Sequence, residues 1–235
     1  MKTPLRYAAR ELTTHKRADY ALRNGGGRLT VRHRSGDIDI LRKFYAYGYY
    51  DLPDEVATPL RSLGRPVNVL DLGANIGLFE VFTRDRLTIG DVVCFEPDPA
   101  NGAVLGRTRN ANGADWEIVK ACASNRDGHA RFNTGRKNFS RIGDSGDIDI
   151  ATVDVFPYIA RADLVKMNIE GSEWDVLEDP RLADTSVKWI VEYHHIASPD
   201  PDIHTLSRKL FERAGYTVRL AAKTRDNGLF WAWKA

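Results

Sequence analysis

The chain has 235 residues, of which 43% are hydrophobic and 28% charged, with 34 basic and 32 acidic side chains and a formal charge of +2. That balance fits one soluble α/β domain with an elaboration and excludes a disordered chain. It gives no global electrostatic attraction to nucleic acid or to an anionic membrane, so neither is expected as a partner.

The only two cysteines, Cys94 and Cys122, lie in apolar runs. They read as buried thiols rather than a disulfide, which suits a reducing compartment. No Cys/His spacing resembles a zinc site. Met1 to Arg10 lacks the apolar centre of a signal peptide, and no apolar run approaches the roughly 20 residues that span a bilayer. The expected location is therefore the cytoplasm.

Residues 1–24 are polar and arginine-rich, and read as a helix or an arm that ends at Gly25-Gly26-Gly27. Arg28 to Arg34 alternates like a short strand, and Ser35-Gly36-Asp37 reads as a turn. Between Ile38 and Tyr50 stand Phe44, Tyr45, Tyr47, Tyr49 and Tyr50. This cluster reads as a packing cap on the main domain, with a substrate pocket as the sharper alternative. Residues 1–60 are accordingly taken as an N-terminal cap or arm, and residues 61–235 as the main domain.

From Val67 onward strands and helices alternate. Val67 to Leu72 reads as a buried strand, Ile76 to Leu87 as a helix, and Val92 to Phe95 as a strand. Pro99 to Asn110 follows as a helix and Trp116 to Ala123 as a third strand. These lengths predict βαβ units and a parallel sheet. His129 to Asn133 reads as a small added strand. Thr134 to Asp147 reads as a loop whose Arg136, Lys137, Asn138, Ser140 and Arg141 either touch an anionic acceptor or are simply solvated. Strands are expected at Asp147 to Val153, Asp163 to Ile169 and Val187 to Tyr193, with a helix after Gly171. In 202–214, Ile203, Leu206, Leu210, Phe211 and Ala214 share one helical face, and Gly215 stops the helix. Tyr216 to Ala222 and Leu229 to Lys234 then form a hairpin around Asp226-Asn227-Gly228.

The segment Val69-Leu70-Asp71-Leu72-Gly73-Ala74-Asn75-Ile76-Gly77 takes a buried strand through a glycine turn into a helix. Ligands of open α/β sheets bind at the carboxyl ends of the strands. Glu96 closes the next strand, where an acidic side chain can accept from both hydroxyls of a ribose. The middle glycine of the dinucleotide pattern G-x-G-x-x-G is missing, and Asn75 follows in the turn. A ligand without phosphates needs no such cradle, and S-adenosylmethionine is one. Asp71 would repel a pyrophosphate yet suit the cationic end of a methionine group. The alternatives are a nicotinamide (NAD) oxidoreductase of Rossmann type and a non-catalytic protein that binds an adenosyl ligand.

Four segments resemble the FkbM-type methyltransferase family. They are the glycine turn above, Phe95-Glu96-Pro97-Asp98, Lys166-Met167-Asn168-Ile169-Glu170-Gly171-Ser172-Glu173, and Val191-Glu192-Tyr193-His194-His195. The likeness spans residues 67–195, and the third segment is the most specific. It implies a Rossmann-like class I methyltransferase. The expected fold is a doubly wound, mostly parallel seven-stranded α/β sheet with an antiparallel C-terminal hairpin and a small N-terminal cap. It also implies methyl transfer from S-adenosylmethionine, usually to a hydroxyl of a sugar or secondary-metabolite small molecule. Asp71, Gly73, Asn75, Gly77 and Glu96 would bind the cofactor by position, and Asn168 is grouped with them. Aspartate is frequent in the family where this chain has Asn168, which cannot serve as a base and is a poor anchor for a hard cation. No metal is expected, with Glu170 and Glu192 as the residues that could still hold magnesium.

The catalytic candidates are Glu170, His194 and His195. Asn168 and Glu170 share a face if the strand through Ile169 persists. Glu173 reads as a first-turn carboxylate favouring the helix dipole, and Ser172 as the cap. Glu192, His194 and His195 end the next strand, at the edge where an acceptor must meet the methyl group. Histidine has the pKa range of a base for a hydroxyl proton.

Overall fold

The computed structural model describes residues 1–22, 27–134, 141–142 and 146–234. Its central sheet has seven strands: β3 (Val67–Leu72), β4 (Ile89–Phe95), β5 (Glu117–Val119), β10 (Leu164–Met167), β11 (Lys188–His194), β12 (Thr217–Lys223) and β13 (Asn227–Trp233). Their order is β12-β13-β11-β10-β3-β4-β5. All neighbours pair in parallel except β13, which is antiparallel to both β11 and β12. This is the doubly wound, mostly parallel sheet with an antiparallel C-terminal hairpin that the pattern of apolar runs predicts.

Two apolar layers sandwich the sheet. Val67 and Val69 of β3 face one, with Phe79 and Phe82 of α4 (Leu78–Arg84) and Val104 and Leu105 of α5 (Pro99–Ala111). Leu70 and Leu72 face the other, with Phe156 of α6 (Phe156–Ile159), Trp174 of α7 (Glu173–Leu177) and Phe211 of α8 (Ile203–Arg213). Local chemistry starts the two longest helices of the sheet's flanks. The Asp98 carboxylate accepts from the N–H groups of Ala100 and Asn101 at 2.8 and 3.3 Å, ahead of Pro99 in the first turn. Asp202 accepts from Thr205 N–H at 3.1 Å to cap α8.

Several expectations change. Trp116 to Ala123 is not one strand: β5 ends at Val119, and β6 (Cys122–Ser124) leaves the main sheet. There it joins β7 (Gly128–Asn133), β8 (Arg141–Ile142) and β9 (Ile148–Asp154) in a second, four-stranded sheet ordered β6-β9-β7-β8. The strand expected through Ile169 stops at Met167, because the chain turns at Asn168. Asn227 and Gly228 lie within β13, and the tight turn precedes them, with Thr224 N–H donating to Asn227 O at 2.8 Å. Arg136, Lys137, Asn138, Ser140 and the side chain of Arg141 lie outside the described residues.

The N-terminal segment folds as α1 (Pro4–Thr13), a hairpin of β1 (Arg17–Ala21) and β2 (Arg28–Arg32), α2 (Asp37–Tyr45) and α3 (Asp54–Arg61). It is more than an arm. Tyr20, Leu29, Val31, Phe44 and Tyr50 belong to the same buried cluster as Val69 and Phe79. Thr30 N–H of β2 donates to Thr108 Oγ1 of α5 at 3.2 Å. Both cysteines are free and buried. Among the described residues no helix is long and apolar enough to cross a membrane.

Two glycines set the position of the turn after β3. A Cβ on Gly73 (φ +84°) would overlap the carbonyl oxygen of Asn168, so only glycine lets the two turns cross this closely. Gly77 (φ +81°) starts α4, and a Cβ on it would lie 2.9 Å from Leu105 Cδ1 and 3.2 Å from the Trp116 ring. Gly77→Ala combines a left-handed backbone with overpacking, so it should cost roughly 2–4 kcal/mol. Urea denaturation checks this, and a loss below about 0.5 kcal/mol, the range of neutral surface changes, would contradict it.

Candidate functional site

The sheet register builds the site. Leu72 pairs with Phe95 on one side and Met167 on the other, and Met167 pairs with Val191. The residues one step further are Gly73, Glu96, Asn168 and Glu192, so four distant segments meet at the carboxyl end of the sheet. A cavity of about 330 Å³ opens there, lined by all four. It is also lined by Asn75, Glu170, Ser172 and His194, and by Gly36, Asp39, Ile40, Lys43, Phe44 and Tyr50 of the N-terminal segment.

At one end stands Glu96. Its Oε2 accepts from Asn75 N–H at 2.7 Å, and its Oε1 accepts from Asp98 N–H at 2.9 Å and Asn101 Nδ2 at 3.3 Å. Burial pushes its carboxyl up to about 7 against the pull of these donors. Asn75 has φ +51°, which asparagine tolerates. Phe95, Pro97, Cys122 and Ala123 form an apolar wall beside it.

Beneath the turn, Asp71 is fully buried and ion-paired with Lys166 at 2.9 Å. Lys166 Nζ also donates to the Gly73 carbonyl at 2.6 Å. Burial and the neighbouring Asp71 carboxylate push Glu80 well above the usual carboxylate range. Asp71 borders the cavity, but its charge is committed to Lys166 rather than left for a ligand. Asn168 Oδ1 near this point is also buried, with no hydrogen-bond partner among the described residues.

The other end is a cluster of charges. Glu192 accepts from Lys43 Nζ at 2.5 Å, and from Tyr50 Oη and Asn168 Nδ2, each at 3.2 Å. Burial works against its charge, yet Lys43 and His194 hold its carboxyl below the usual range. His194 Nδ1 lies 2.8 Å from Glu173 Oε1, and its Nε2 lies 3.7 Å from Glu170 Oε1 and 4.0 Å from Glu192 Oε1. Burial alone would lower its pKa, but the bond to Glu173 and the surrounding carboxylates raise it to about 9. Glu170 has a backbone φ of +54°, a conformation glutamate adopts only when its surroundings enforce it. Burial pushes its carboxyl up to about 7, with His194 opposing.

Glu173 supplies that enforcement. Its buried carboxylate accepts from the N–H groups of Ile169 (3.1 Å) and Gly171 (2.7 Å) and holds His194. It clamps the Glu170 turn rather than merely meeting a helix dipole, and Ser172 makes no side-chain cap. Gly73, Asn75, Glu96, Asn168, Glu170 and His194 therefore converge on one cavity. His195 does not: it is exposed and absent from the lining, because alternation at the strand end turns it away from His194. Gly77 also stands off the cavity and serves helix packing. Phe44 and Tyr50 of the aromatic cluster line the cavity, whereas nothing in the sequence singles out Lys43 or Arg32. Lys43 and Tyr50 meet Glu192 more than 140 residues away, and Arg32 reaches Asn75 and Asn101 more than 40 residues away besides nearby Asp37, so no local pattern marks these contacts.

The methyltransferase FkbM domain matches residues 71–218, more than half of the chain. Among solved structures, an FkbM methyltransferase from Methylobacillus flagellatus KT superposes with a TM-score of 0.51 at 17% identity, covering 84% of this chain and 60% of that one. A SAM-dependent methyltransferase from Agrobacterium tumefaciens gives 0.49 at 12% identity, covering 93% and 70%. A precorrin-6y C5,15-methyltransferase from Geobacter metallireducens GS-15 gives 0.46 at 13% identity, covering 77% and 87%. No curated protein matches. At these identities the structural likeness is one of fold.

His194 links the cluster to stability. Its folded pKa of about 9 lies above the ordinary value of 6.5. The stabilisation from the imidazolium is therefore full below pH 6.5 and is lost as pH rises through 9. Its span is on the order of 3 kcal/mol. Chemical denaturation from pH 6 to 10 should show the wild type losing more stability than His194→Gln over this window. Parallel curves for the two proteins would contradict the assignment.

Proposed function

Because the chain belongs to the methyltransferase FkbM domain family, we propose that it uses S-adenosylmethionine to methylate a hydroxyl oxygen of a sugar or secondary-metabolite small molecule. One observation carries this reading: a single cavity joins Glu96 at one end to Glu170, Glu192 and His194 at the other. Family membership also favours methyl transfer over the nicotinamide alternative.

The residues suit the cofactor. Glu96 Oε2 holds one backbone donor and keeps a lone pair for a ribose hydroxyl. The wall of Phe95, Pro97, Cys122 and Ala123 suits the flat face of a base. Asn168 Oδ1, buried without a donor, offers an acceptor to a cationic amino group. When bound, S-adenosylmethionine supplies a methyl group on a positively charged sulfur, ready for in-line attack.

Glu170 is the general base in this reading. A carboxyl held near 7 is part-ionised at neutral pH and is basic enough to take a hydroxyl proton as the oxygen–methyl bond forms and the carbon–sulfur bond breaks. His194, already protonated below its pKa of about 9, is a poor acceptor and acts instead as a fixed cation. Held by Glu173, it steadies the Glu170 carboxylate and can donate to the acceptor. Orienting the acceptor hydroxyl against the methyl group supplies much of the remaining rate.

Calorimetry with S-adenosylhomocysteine tests the cofactor half. Wild type should bind, and Glu96→Ala should lose roughly 1.5–3 kcal/mol. Glu170→Gln should bind normally but lose about a hundredfold or more in kcat, together with the rise in rate through pH 7. A non-catalytic adenosyl-binding protein would bind the ligand and methylate nothing across a panel of hydroxylated small molecules. Full activity in Glu170→Gln would remove Glu170 as the base.

A further inference from the structure

The family match begins at residue 71, yet the hydrogen bonds around Glu96 lead back to a side chain outside it. Arg32, the last residue of β2, extends its guanidinium between three residues. Its Nε and Nη2 reach the fully buried Asp37 carboxylate at 3.1 and 2.7 Å. Its Nη1 donates to Asn101 Oδ1 at 2.6 Å, and its Nη2 to Asn75 Oδ1 at 3.3 Å. Asn75 donates to one oxygen of Glu96, and Asn101 shares the other with Asp98 N–H.

We propose that Arg32 is a positioning residue for the cofactor's ribose subsite, acting on Glu96 through Asn75 and Asn101. The inference rests on the cofactor reading above. Its chemistry is one of donor and acceptor polarity. A guanidinium only donates, so it draws the Oδ1 of each amide towards itself. For Asn101 this leaves Nδ2, the donor, facing the Glu96 carboxylate. For Asn75 it holds the side chain of a residue in the left-handed region, and so the backbone N–H that meets Glu96 Oε2. Asp37 fixes the guanidinium in turn, and also accepts from Arg32 N–H at 2.8 Å. The planar fork is essential: a lysine could keep the charge beside Asp37 but could not span all three partners. Arg32 itself need not touch the ligand.

A docking role can be separated from a positioning role. Arg107 of α5 also ties the N-terminal hairpin to the main sheet's flank, by a 3.0 Å pair with Asp19 of β1, and it does not line the cavity. Wild type, Arg32→Lys and Arg107→Ala should be compared by calorimetry with S-adenosylhomocysteine, with thermal unfolding measured in parallel. Arg32→Lys keeps a cation beside buried Asp37, so it should fold, and it should bind about tenfold more weakly. Arg107→Ala should bind like wild type. Equal affinity in Arg32→Lys and wild type, or an equal loss in Arg107→Ala, would overturn the assignment while leaving the cofactor reading intact. Failure of the wild type to bind would overturn the cofactor reading, and the Arg32 assignment with it.

Discussion

The ion pair between Asp71 and Lys166 is the constraint on which the site depends. It joins the ends of the two central strands, and Lys166 also holds the Gly73 carbonyl. The turns that carry Gly73 and Asn168 into the cavity leave the sheet within two residues of this pair. Both charges are almost fully buried, so each needs the other: removing either would leave an unpaired ion in a low-dielectric interior. Glu80 lies against Asp71, its carboxyl pushed well above the usual range by burial and by that neighbour. The arrangement spends a residue that sequence position assigns to ligand binding on holding the turn instead. The close crossing of Gly73 over the Asn168 carbonyl follows from the same joint. A larger side chain at Gly73 would disturb the fold before it disturbed a ligand.

A second constraint operates at the His194 end of the cavity. Three carboxylates surround His194, and Lys43 and the imidazolium offset part of their charge. Such a cluster cannot have every carboxylate fully ionised without cost, and it is Glu170 that rises towards neutrality. Lys43 and His194 hold Glu192 below the usual range against its burial, and Tyr50 and Asn168 also donate to it. The result is one carboxylate raised to about 7 and one held below the usual range. That division rests on Lys43 and Tyr50, which the N-terminal segment contributes.

The central sheet was legible because apolar runs, glycine stops and the Asp98-Pro99 helix start are local signals. The glycine turn and Glu96 were legible for the same reason. The second sheet was not, since Trp116 to Ala123 carries no glycine or proline to mark the break between β5 and β6. His194 and His195 were indistinguishable in sequence, and strand alternation sends them to opposite sides. The roles of Arg32, Lys43 and Glu173 depend on which distant groups they meet. Arg32, for example, reads as an ordinary polar position in a short strand until Asn75 and Asn101 are seen beside it.

The central claim is that one cavity aligns a cofactor bound at Glu96 with an acceptor held at Glu170 and His194. A crystal structure of the complex with S-adenosylhomocysteine tests it most directly. The account predicts the ribose hydroxyls on Glu96, the amino group near Asn168 Oδ1, and the sulfur facing the space before Glu170. A ligand seated elsewhere, or one whose sulfur points away from Glu170 and His194, would contradict it.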